Sequence, residues 1–123
     1  MPREGGDSPY SFGREHRLTK EKEFQEVFRR GRKLDLGFAA FYILTKKEGL
    51  SRFGVVVPKK VDKRATRRNR IKRIYREFFR LNKPLFPKPV DMVVVVKEDV
   101  PQKPDEIKKL ALDKILDAIE KNS

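Results

Sequence analysis

The sequence predicts an α+β domain in which helices and a small β-sheet form two layers. Three short segments, FAAFYIL, RFGVVV and DMVVVV, are rich in β-branched or aromatic residues and have the composition of buried strands. They alternate with segments whose apolar residues recur every three or four positions, as on one face of a helix. The predicted order of elements is α-β-β-α-β-α, and 123 residues suffice for one modest hydrophobic core.

The N-terminal segment is predicted to be a flexible tail over residues 1–16. It contains Pro, Gly, Ser and charges of both signs without a hydrophobic period. His16, the one histidine of the chain, is expected to be a solvated residue of this tail. A single folded domain is then expected over residues 17–123.

The first predicted helix lies in LTKEKEFQEVFRRG. Thr19 can cap its N-terminus and Gly31 can end it. Phe24, Val27 and Phe28 fall at positions i, i+3 and i+4, so they share one face of the helix. This spacing by itself favours ordinary core residues.

Three strands and a final helix are predicted after it. Residues 38–44 place apolar side chains on both faces, which indicates a strand covered on both sides. KKEG at 46–49 forms a turn, and RFGVVV is a strand that ends before Pro58. The unbroken β-branched run at 91–96 indicates a third, buried strand. Residues 105–121 show an apolar stripe with a helical period and predict the last helix.

The most unusual segment is KKVDKRATRRNRIKRIYREFFR, residues 59–80, with eleven Lys or Arg and two acids. Its charge of +9 accounts for most of the net charge of +13. Residues 64–82 are predicted to form a helix that stops ahead of Pro84. On a helical wheel, apolar and cationic side chains lie on opposite faces. The face expected to pack on the sheet contains Ile71, Ile74, Tyr75 and Phe78, and the outer face contains Asn69, Lys72, Arg73, Arg76 and Arg80.

The N-terminus of this helix carries charges of the unfavourable sign. Lys63, Arg64, Arg67 and Arg68 crowd the end at which the helix dipole is already positive. A phosphate bound there would reverse the balance, because backbone N–H groups and arginines would then point at an anion. The alternatives are a solvated basic face without a partner and a helix lying on a membrane surface. A membrane-bound helix would leave the sheet without a cover for its apolar face.

Composition limits the chemistry that the chain can perform. The absence of cysteine and the single histidine exclude disulfides, zinc ribbons, thiol nucleophiles and most histidine-based catalysis. The acids are not clustered as two-metal hydrolysis requires, which disfavours a protein-only nuclease. Asp91, which opens a predicted strand, is expected to be a structural hydrogen-bond acceptor.

The charge and the hydropathy pattern also indicate the partner and the compartment. A strongly basic chain favours nucleic acid, and RNA is favoured over DNA because no dimer or zinc framework is evident. No stretch approaches the about 18 apolar residues of a membrane-spanning helix, and the N-terminus lacks a signal-peptide core. We therefore expect a cytoplasmic protein without a membrane partner. The abundance of Lys, Arg and Glu also fits a thermophilic source.

The basic segment resembles the signature of a known family. The pattern R-N-R-x-K-R-x-x-R is similar to that of the bacterial ribonuclease P protein subunit. HRLTKEKEFQEVFRRGRK resembles the first helix of that family, FAAFYIL its long strand and RFGVVVPKKV the strand that leads into the signature. PVDMVVVVK resembles its last strand, so the resemblance covers residues 16–97.

The resemblance implies a fold and a division of labour. It implies a left-handed βαβ crossover, although the general rule for such units predicts a right-handed one. It also implies a ribonucleoprotein whose RNA subunit, with Mg²⁺, removes the 5′ leader from precursor tRNA. The protein would bind the RNA subunit and the leader and would supply no catalytic residue. An alternative that the residues leave open is a structural or ribosome-assembly RNA-binding protein of similar fold.

The family pattern assigns two sets of residues. The set expected to bind the RNA subunit is Arg67, Arg68, Asn69, Arg70, Lys72, Arg73 and Arg76. Asn69 is expected either to bond a base or ribose or to hold the loop at Lys59 and Lys60, and the second role is preferred. The set expected to bind the leader, in a shallow cleft between the first helix and the sheet, is Phe24, Phe28, Tyr42, Lys59 and Lys60. Aromatic faces beside lysines suit single-stranded RNA.

Overall fold

The computed structural model describes residues 12–121 and contains a four-stranded mixed sheet with three α-helices. The order of elements is α-β-β-β-α-β-α. The helices are α1 (Glu21–Arg30), α2 (Ala65–Asn82) and α3 (Pro104–Lys121), and the strands are β1 (Arg32–Asp35), β2 (Ala39–Thr45), β3 (Arg52–Val56) and β4 (Val90–Val96). None of the helices in this part of the chain is long and apolar enough to cross a membrane.

The strand β1 is absent from the predicted order α-β-β-α-β-α, which is wrong in this respect. Its sequence RKLD has three exposed side chains, so it shows neither an apolar run nor a buried alternation. It forms because the chain reverses at Gly37, whose positive φ of 91° suits glycine, and pairs antiparallel with β2. The Asp35 carboxylate accepts a hydrogen bond from the Gly37 N–H at 2.9 Å and supports that turn.

The strands are arranged in the order β1-β2-β4-β3. β2 pairs antiparallel with both β1 and β4, whereas β3, at the edge, pairs parallel with β4. The helix α2 connects β3 to β4, so these three elements form a βαβ unit. The left-handed crossover implied by the family resemblance stays a prediction.

Helices pack on both faces of the sheet, so the predicted two-layer arrangement is wrong. The face formed by Phe41 of β2 and Met92 of β4 packs against Tyr75 of α2 and Ile115 of α3 in the main core. The opposite face is partly covered by α1, whose Val27 lies in a smaller cluster with Leu18, Val93, Phe24, Tyr42 and Leu44. A strand that is apolar on both sides, as β2 was predicted to be, requires a cover on both.

The residues just before α1 pack against the sheet, and two predictions about them are wrong. His16 is 3% exposed rather than solvated, and its Nδ1 lies 2.9 Å from the carbonyl oxygen of Ser51. Phe12 contacts the rings of Phe53 and Phe79, so the predicted tail includes packed residues from position 12 onward. Residues 1–11 of that tail lie outside the described residues.

The start of α1 also differs from the prediction that Thr19 caps it. The N-cap is Lys20, and the Glu23 carboxylate, one turn into the helix, accepts hydrogen bonds from the N–H groups of Thr19 and Lys20, both at 3.1 Å. The carboxylate is thus the capping group, as in the second half of a capping box. The predicted end is confirmed, because the Gly31 N–H donates to the carbonyl of Val27 at 2.8 Å.

Candidate nucleic-acid interface

The predicted amphipathic helix is present as α2, with its bounds within a residue of those expected. Ile71, Tyr75 and Phe78 are buried against the sheet as predicted, and Phe79 joins them. The residues of the basic set lie on the remaining surface, which we call the helix surface. Asn69, Arg70 and Arg73 are exposed, and Arg67, Arg68, Lys72 and Arg76 are half-buried.

The N-terminus of α2 has no acid in its first turn and no side-chain cap on its N-cap residue, Arg64. The preceding loop is instead organised by Asp62. One carboxylate oxygen of Asp62 accepts from the Arg64 N–H at 2.9 Å and from Arg64 Nε at 3.2 Å. The hydrogen bond from the Arg64 side chain lowers the pKa of Asp62, so this carboxyl is ionised at neutral pH. This helix end carries Lys63, Arg64, Arg67 and Arg68 and therefore stays net positive even with Asp62 and Asp99 beside it.

Two arginines of the basic set are partly exposed and also stabilise neighbouring segments of the chain through hydrogen bonds. Arg68 Nη1 donates to the carbonyls of Asp62 at 3.1 Å and Lys63 at 2.8 Å and so fixes the loop before α2. Arg67 Nη2 donates to Asp99, in the segment after β4, at 3.2 Å. Arg68 thus holds Asp62 and Lys63. Asn69, whose preferred role was to hold the loop at Lys59 and Lys60, is exposed, and its side chain makes no hydrogen bond to any residue that the structure describes.

The remaining cations of the helix surface differ from these two arginines. Within residues 12–121, Arg70, Lys72, Arg73 and Arg76 form no ion pair. Burial and the nearby guanidinium of Arg17 lower the pKa of Arg76, which is the direction expected where like charges meet without an acid. This arrangement favours an anionic partner that supplies the missing negative charge.

The second candidate surface lies on the face of the sheet that α1 covers only in part. Phe28 of α1 is 39% exposed, and its ring meets that of Tyr42 on β2 edge to face, with centroids 4.8 Å apart. Tyr42 itself is half-buried. Phe28 is therefore not an ordinary core residue, and the pair presents aromatic surface to solvent.

Phe24 occupies a different environment from Phe28. Its ring lies against the backbone of Gly54 on β3, where a Cβ atom would come within 2.5 Å of the ring. It also packs with Val27 and Val93 in the smaller core cluster. The contacts of Phe24 are therefore those of a core residue, which is the alternative that the spacing alone suggested.

Next to the aromatic pair, the sheet is open to solvent. Ala40, Val95 and Val56 are register partners across β2, β4 and β3, on the same face as Tyr42. Ala40 is buried, Val95 is half-buried and Val56 is 36% exposed, so the row opens to solvent toward β3 and α1 does not cover that end of it. We call the surface formed by Phe28, Tyr42, Ala40, Val95 and Val56 the aromatic cleft.

Lysines flank or follow the strands that form the aromatic cleft. Lys59 and Lys60 are exposed in the turn that follows β3, close in sequence to Val56. Lys33 of β1 is the register partner of Tyr42, and its Nζ lies 5.8 Å from the Tyr42 ring centroid. Sequence reasoning missed Lys33 because it missed β1; the alternation of charged residues around Leu34 and the glycine turn after it were the available signals.

The acids near these surfaces are engaged with cations of the same chain. Asp91, 5% exposed, accepts from Arg52 Nη2 at 2.7 Å and lies 3.0 Å from Lys46 Nζ, which confirms its expected role as a structural acceptor. Across residues 12–121 no three His, Asp or Glu side chains come together in a group that could hold a metal ion.

Comparison with known proteins agrees with these features. The family model described as Ribonuclease P matches residues 12–120. The chain is 43% identical over 90 residues to the ribonuclease P protein component of Thermotoga maritima, covering 72% of this chain and 74% of that protein. It is also similar to the solved structure of the Staphylococcus aureus RNase P protein, with a TM-score of 0.61, 27% identity and coverage of 86% and 90%.

The RNase P protein from Thermotoga maritima gives a similar structural match, with a TM-score of 0.60, 30% identity and coverage of 85% and 92%. The family match extends past the region recognised in the sequence on both sides, from the residues that pack before α1 to the end of α3. The family predicted from the R-N-R-x-K-R-x-x-R pattern is confirmed. The chain belongs to the bacterial ribonuclease P protein family, and it is the protein subunit of a ribonuclease P holoenzyme.

Proposed function

We propose that the chain binds the RNA subunit of ribonuclease P through the helix surface and the 5′ leader of precursor tRNA through the aromatic cleft. The observation that carries this proposal is the placement of the two surfaces on different faces of one sheet. A single small protein can then contact two RNA segments at once. Holding the leader beside the catalytic RNA would favour precursor over mature tRNA and promote removal of the leader.

The helix surface suits a folded RNA with closely spaced phosphates. Arg70, Lys72, Arg73 and Arg76 are not neutralised by acids of the described chain, and phosphates would relieve their repulsion. Guanidinium groups also bind phosphate oxygens in a bidentate manner and stack on bases. Asn69, exposed at the start of this surface, is assigned to a base edge or ribose, since its side chain makes no hydrogen bond to any residue that the structure describes.

The aromatic cleft suits an unpaired strand. Phe28 and Tyr42 offer ring faces for stacking with little dependence on base identity. We assign Lys33, Lys59 and Lys60 to the phosphates of that strand, because Lys33 lies over the Tyr42 ring and the other two are exposed just after β3. Phe24, predicted to bind the leader, contributes through its packing beneath α1 rather than by an exposed ring face.

The hydrolysis itself is assigned to the RNA subunit. A phosphodiester hydrolysis of this kind uses metal ions to activate water and to stabilise the leaving oxygen. The carboxylates near the candidate surfaces, Glu23, Asp62 and Asp91, are already hydrogen-bonded to arginines. We therefore assign Mg²⁺ to the RNA partner and binding to the protein, acting in the cytoplasm.

The test is cleavage of precursor tRNA by a bacterial ribonuclease P RNA at limiting Mg²⁺, with and without the protein. We expect strong stimulation by the wild type and its loss in Arg70→Ala/Arg73→Ala. The matched control is Lys108→Ala/Lys114→Ala, which removes the same charge from exposed positions of α3. Equal loss in both variants would mean that only net charge matters, and full stimulation by the α2 variant would contradict the assignment of the helix surface. An RNA-binding wild type that fails to stimulate cleavage would favour the structural RNA-binding alternative.

A further inference from the structure

A cluster of four charged side chains joins α1 to the sheet. Arg52, the first residue of β3, donates Nε and Nη2 to the Asp91 carboxylate at 3.1 and 2.7 Å. Its Nη1 donates to Oε2 of Glu23 on α1 at 2.7 Å. Lys46 Nζ lies 3.0 Å from Asp91 and neutralises the remaining charge of the cluster. Arg52 therefore connects a buried carboxylate of β4 with a carboxylate of the helix above it.

The Glu23 carboxylate also determines how the chain enters α1. Its Oε1 accepts from the N–H groups of Thr19 and Lys20, while its Oε2 accepts from Arg52. The hydrogen bond from the Lys20 backbone, with further contributions from Thr19 and Arg52, lowers the pKa of Glu23, which keeps the group ionised at neutral pH. One carboxylate thus fixes both the first turn of the helix and its attachment to the sheet.

The neighbouring contact fixes the same end of α1. Phe24 follows Glu23 in the helix, and Gly54 lies two residues after Arg52, on the same face of β3. The Phe24 ring fills the space that a side chain at Gly54 would occupy. Phe28 is then presented four residues further along, about 6 Å along the helix axis, beside Tyr42.

We propose that Arg52 is a positioning residue for leader binding: by holding Glu23 it sets the position of α1 and hence that of Phe28 against Tyr42. The inference rests on the proposed function, because it requires that the aromatic cleft binds the leader. A ten-residue helix moves as a unit, so release of its N-terminal end tilts the whole element. The distance between the Phe28 ring and the strand residues of the aromatic cleft would then no longer be fixed.

A different role for the same residue makes the opposite prediction. The Arg52 side chain is 30% exposed, so it could itself bind a leader phosphate. In that case Glu23 competes with the RNA for the guanidinium, and removal of its charge would strengthen leader binding. If Arg52 acts through α1, removal of the charge weakens leader binding. The two roles are therefore distinguished by whether loss of the Glu23 charge strengthens or weakens leader binding.

The experiment compares Glu23→Gln with Glu26→Gln in the reconstituted holoenzyme. Glutamine at position 23 can still accept the capping hydrogen bonds but carries no charge for Arg52. Glu26 lies on the same helix and, among residues 12–121, pairs with Arg29 and Arg30 of that helix, so its substitution makes the same charge change without releasing α1 from the sheet. The readout is the Kd for mature tRNA divided by the Kd for precursor tRNA, beside the affinity for the RNA subunit.

We expect Glu23→Gln to lower this ratio by about threefold to tenfold, a coupling typical of directly interacting groups, and Glu26→Gln to leave it unchanged. Affinity for the RNA subunit should be the same in both variants. A higher or unchanged ratio in Glu23→Gln overturns the inference. If Phe28→Ala also leaves the ratio unchanged, the leader site itself is refuted, which is a separate failure of the proposed function.

A second variant keeps the inference testable if Glu23→Gln fails to fold. Arg52→Lys keeps a cation beside the buried Asp91 but cannot bridge Asp91 and Glu23 as the guanidinium does. If Arg52 acts through Phe28, the effects of Arg52→Lys and Phe28→Ala on the ratio should be less than additive. Fully additive effects in folded variants, judged by circular dichroism melting, would overturn the positioning role.

Discussion

Because the ring of Phe28 is exposed, its contribution to RNA binding by base stacking can be measured separately from its contribution to packing within the protein. Phe28→Leu keeps most of the apolar volume at this position but removes the aromatic face. Stacking of one base on an aromatic ring contributes about 1–3 kcal/mol to the free energy of binding. Because Phe28 is 39% exposed and shares its edge contact with Tyr42, we expect the lower part of this range.

The substitution should therefore weaken binding of precursor tRNA by about 1–1.4 kcal/mol, which is about fivefold to tenfold. Binding of mature tRNA should not change, since it has no leader. The loss of the aromatic pair with Tyr42 should lower the free energy of unfolding by about 0.5–1.5 kcal/mol. The assays are Kd measurements for both RNAs with the holoenzyme and urea unfolding of the free protein.

Phe24→Leu is the matched control, because it makes the same chemical change one turn earlier on α1. The Phe24 ring packs on Gly54 and in the smaller core, so its substitution should lower stability and should weaken precursor binding less than Phe28→Leu does, because Phe24 acts only through the position of α1. The reasoning would be refuted if both variants weakened precursor binding equally, or if Phe28→Leu acted on mature tRNA as strongly as on the precursor.

Three further predictions address the charges and the core. Arg70→Ala/Arg73→Ala should reduce the slope of log affinity for the RNA subunit against log salt by about 1.4–1.8, measured by titration at several salt concentrations, if both cations contact phosphates. Tyr75→Phe should raise the free energy of unfolding by about 1 kcal/mol in urea titrations, because the buried Tyr75 hydroxyl has no hydrogen-bond partner among residues 12–121; a clear loss of stability would reveal one. Glu23 has a lowered pKa in the folded state, so its contribution to stability is present above 4.5, the ordinary value, and is lost as the pH falls through the folded value. The wild type should then lose more stability than Glu23→Gln on acidification below that pH, and equal losses would contradict the assignment.

The sequence was informative where a pattern is local and repeats. The helix predicted over residues 64–82 is found at Ala65–Asn82 because four apolar positions and a surrounding band of cations share one period. The run DMVVVV is found in β4 for the same reason, since a strand buried on both faces is apolar throughout. These are also the segments in which the family motif lies.

Features that depend on distant contacts were missed. β1 has a polar sequence and exists because β2 offers it a partner, which the residues of β1 do not reveal. His16 is buried because its ring reaches the carbonyl of Ser51, 35 residues away. Arg52 was not singled out at all, since a lone arginine at the start of a strand gives no indication of a carboxylate 39 residues further along. Periodicity predicts which face of an element is buried, but not which polar groups meet there.

The distribution of acids explains why the chain can present two surfaces of different character. Around α1 and the sheet, carboxylates are matched with cations: Glu23 and Asp91 with Arg52, Glu26 with Arg29 and Arg30, and Asp35 with Lys97. Of these pairs, that of Glu23 with Arg52 joins α1 to the sheet beside the aromatic cleft. Along the middle of α2 no such matching occurs within the described residues, and the helix keeps a charge that its own fold does not neutralise. Acids compensate the charge at both ends of α2, where Asp62 and Asp99 pair with arginines near the N-terminus and Glu77 pairs with Arg80 near the C-terminus. The middle of α2 keeps the uncompensated charge that the proposed contact with RNA requires.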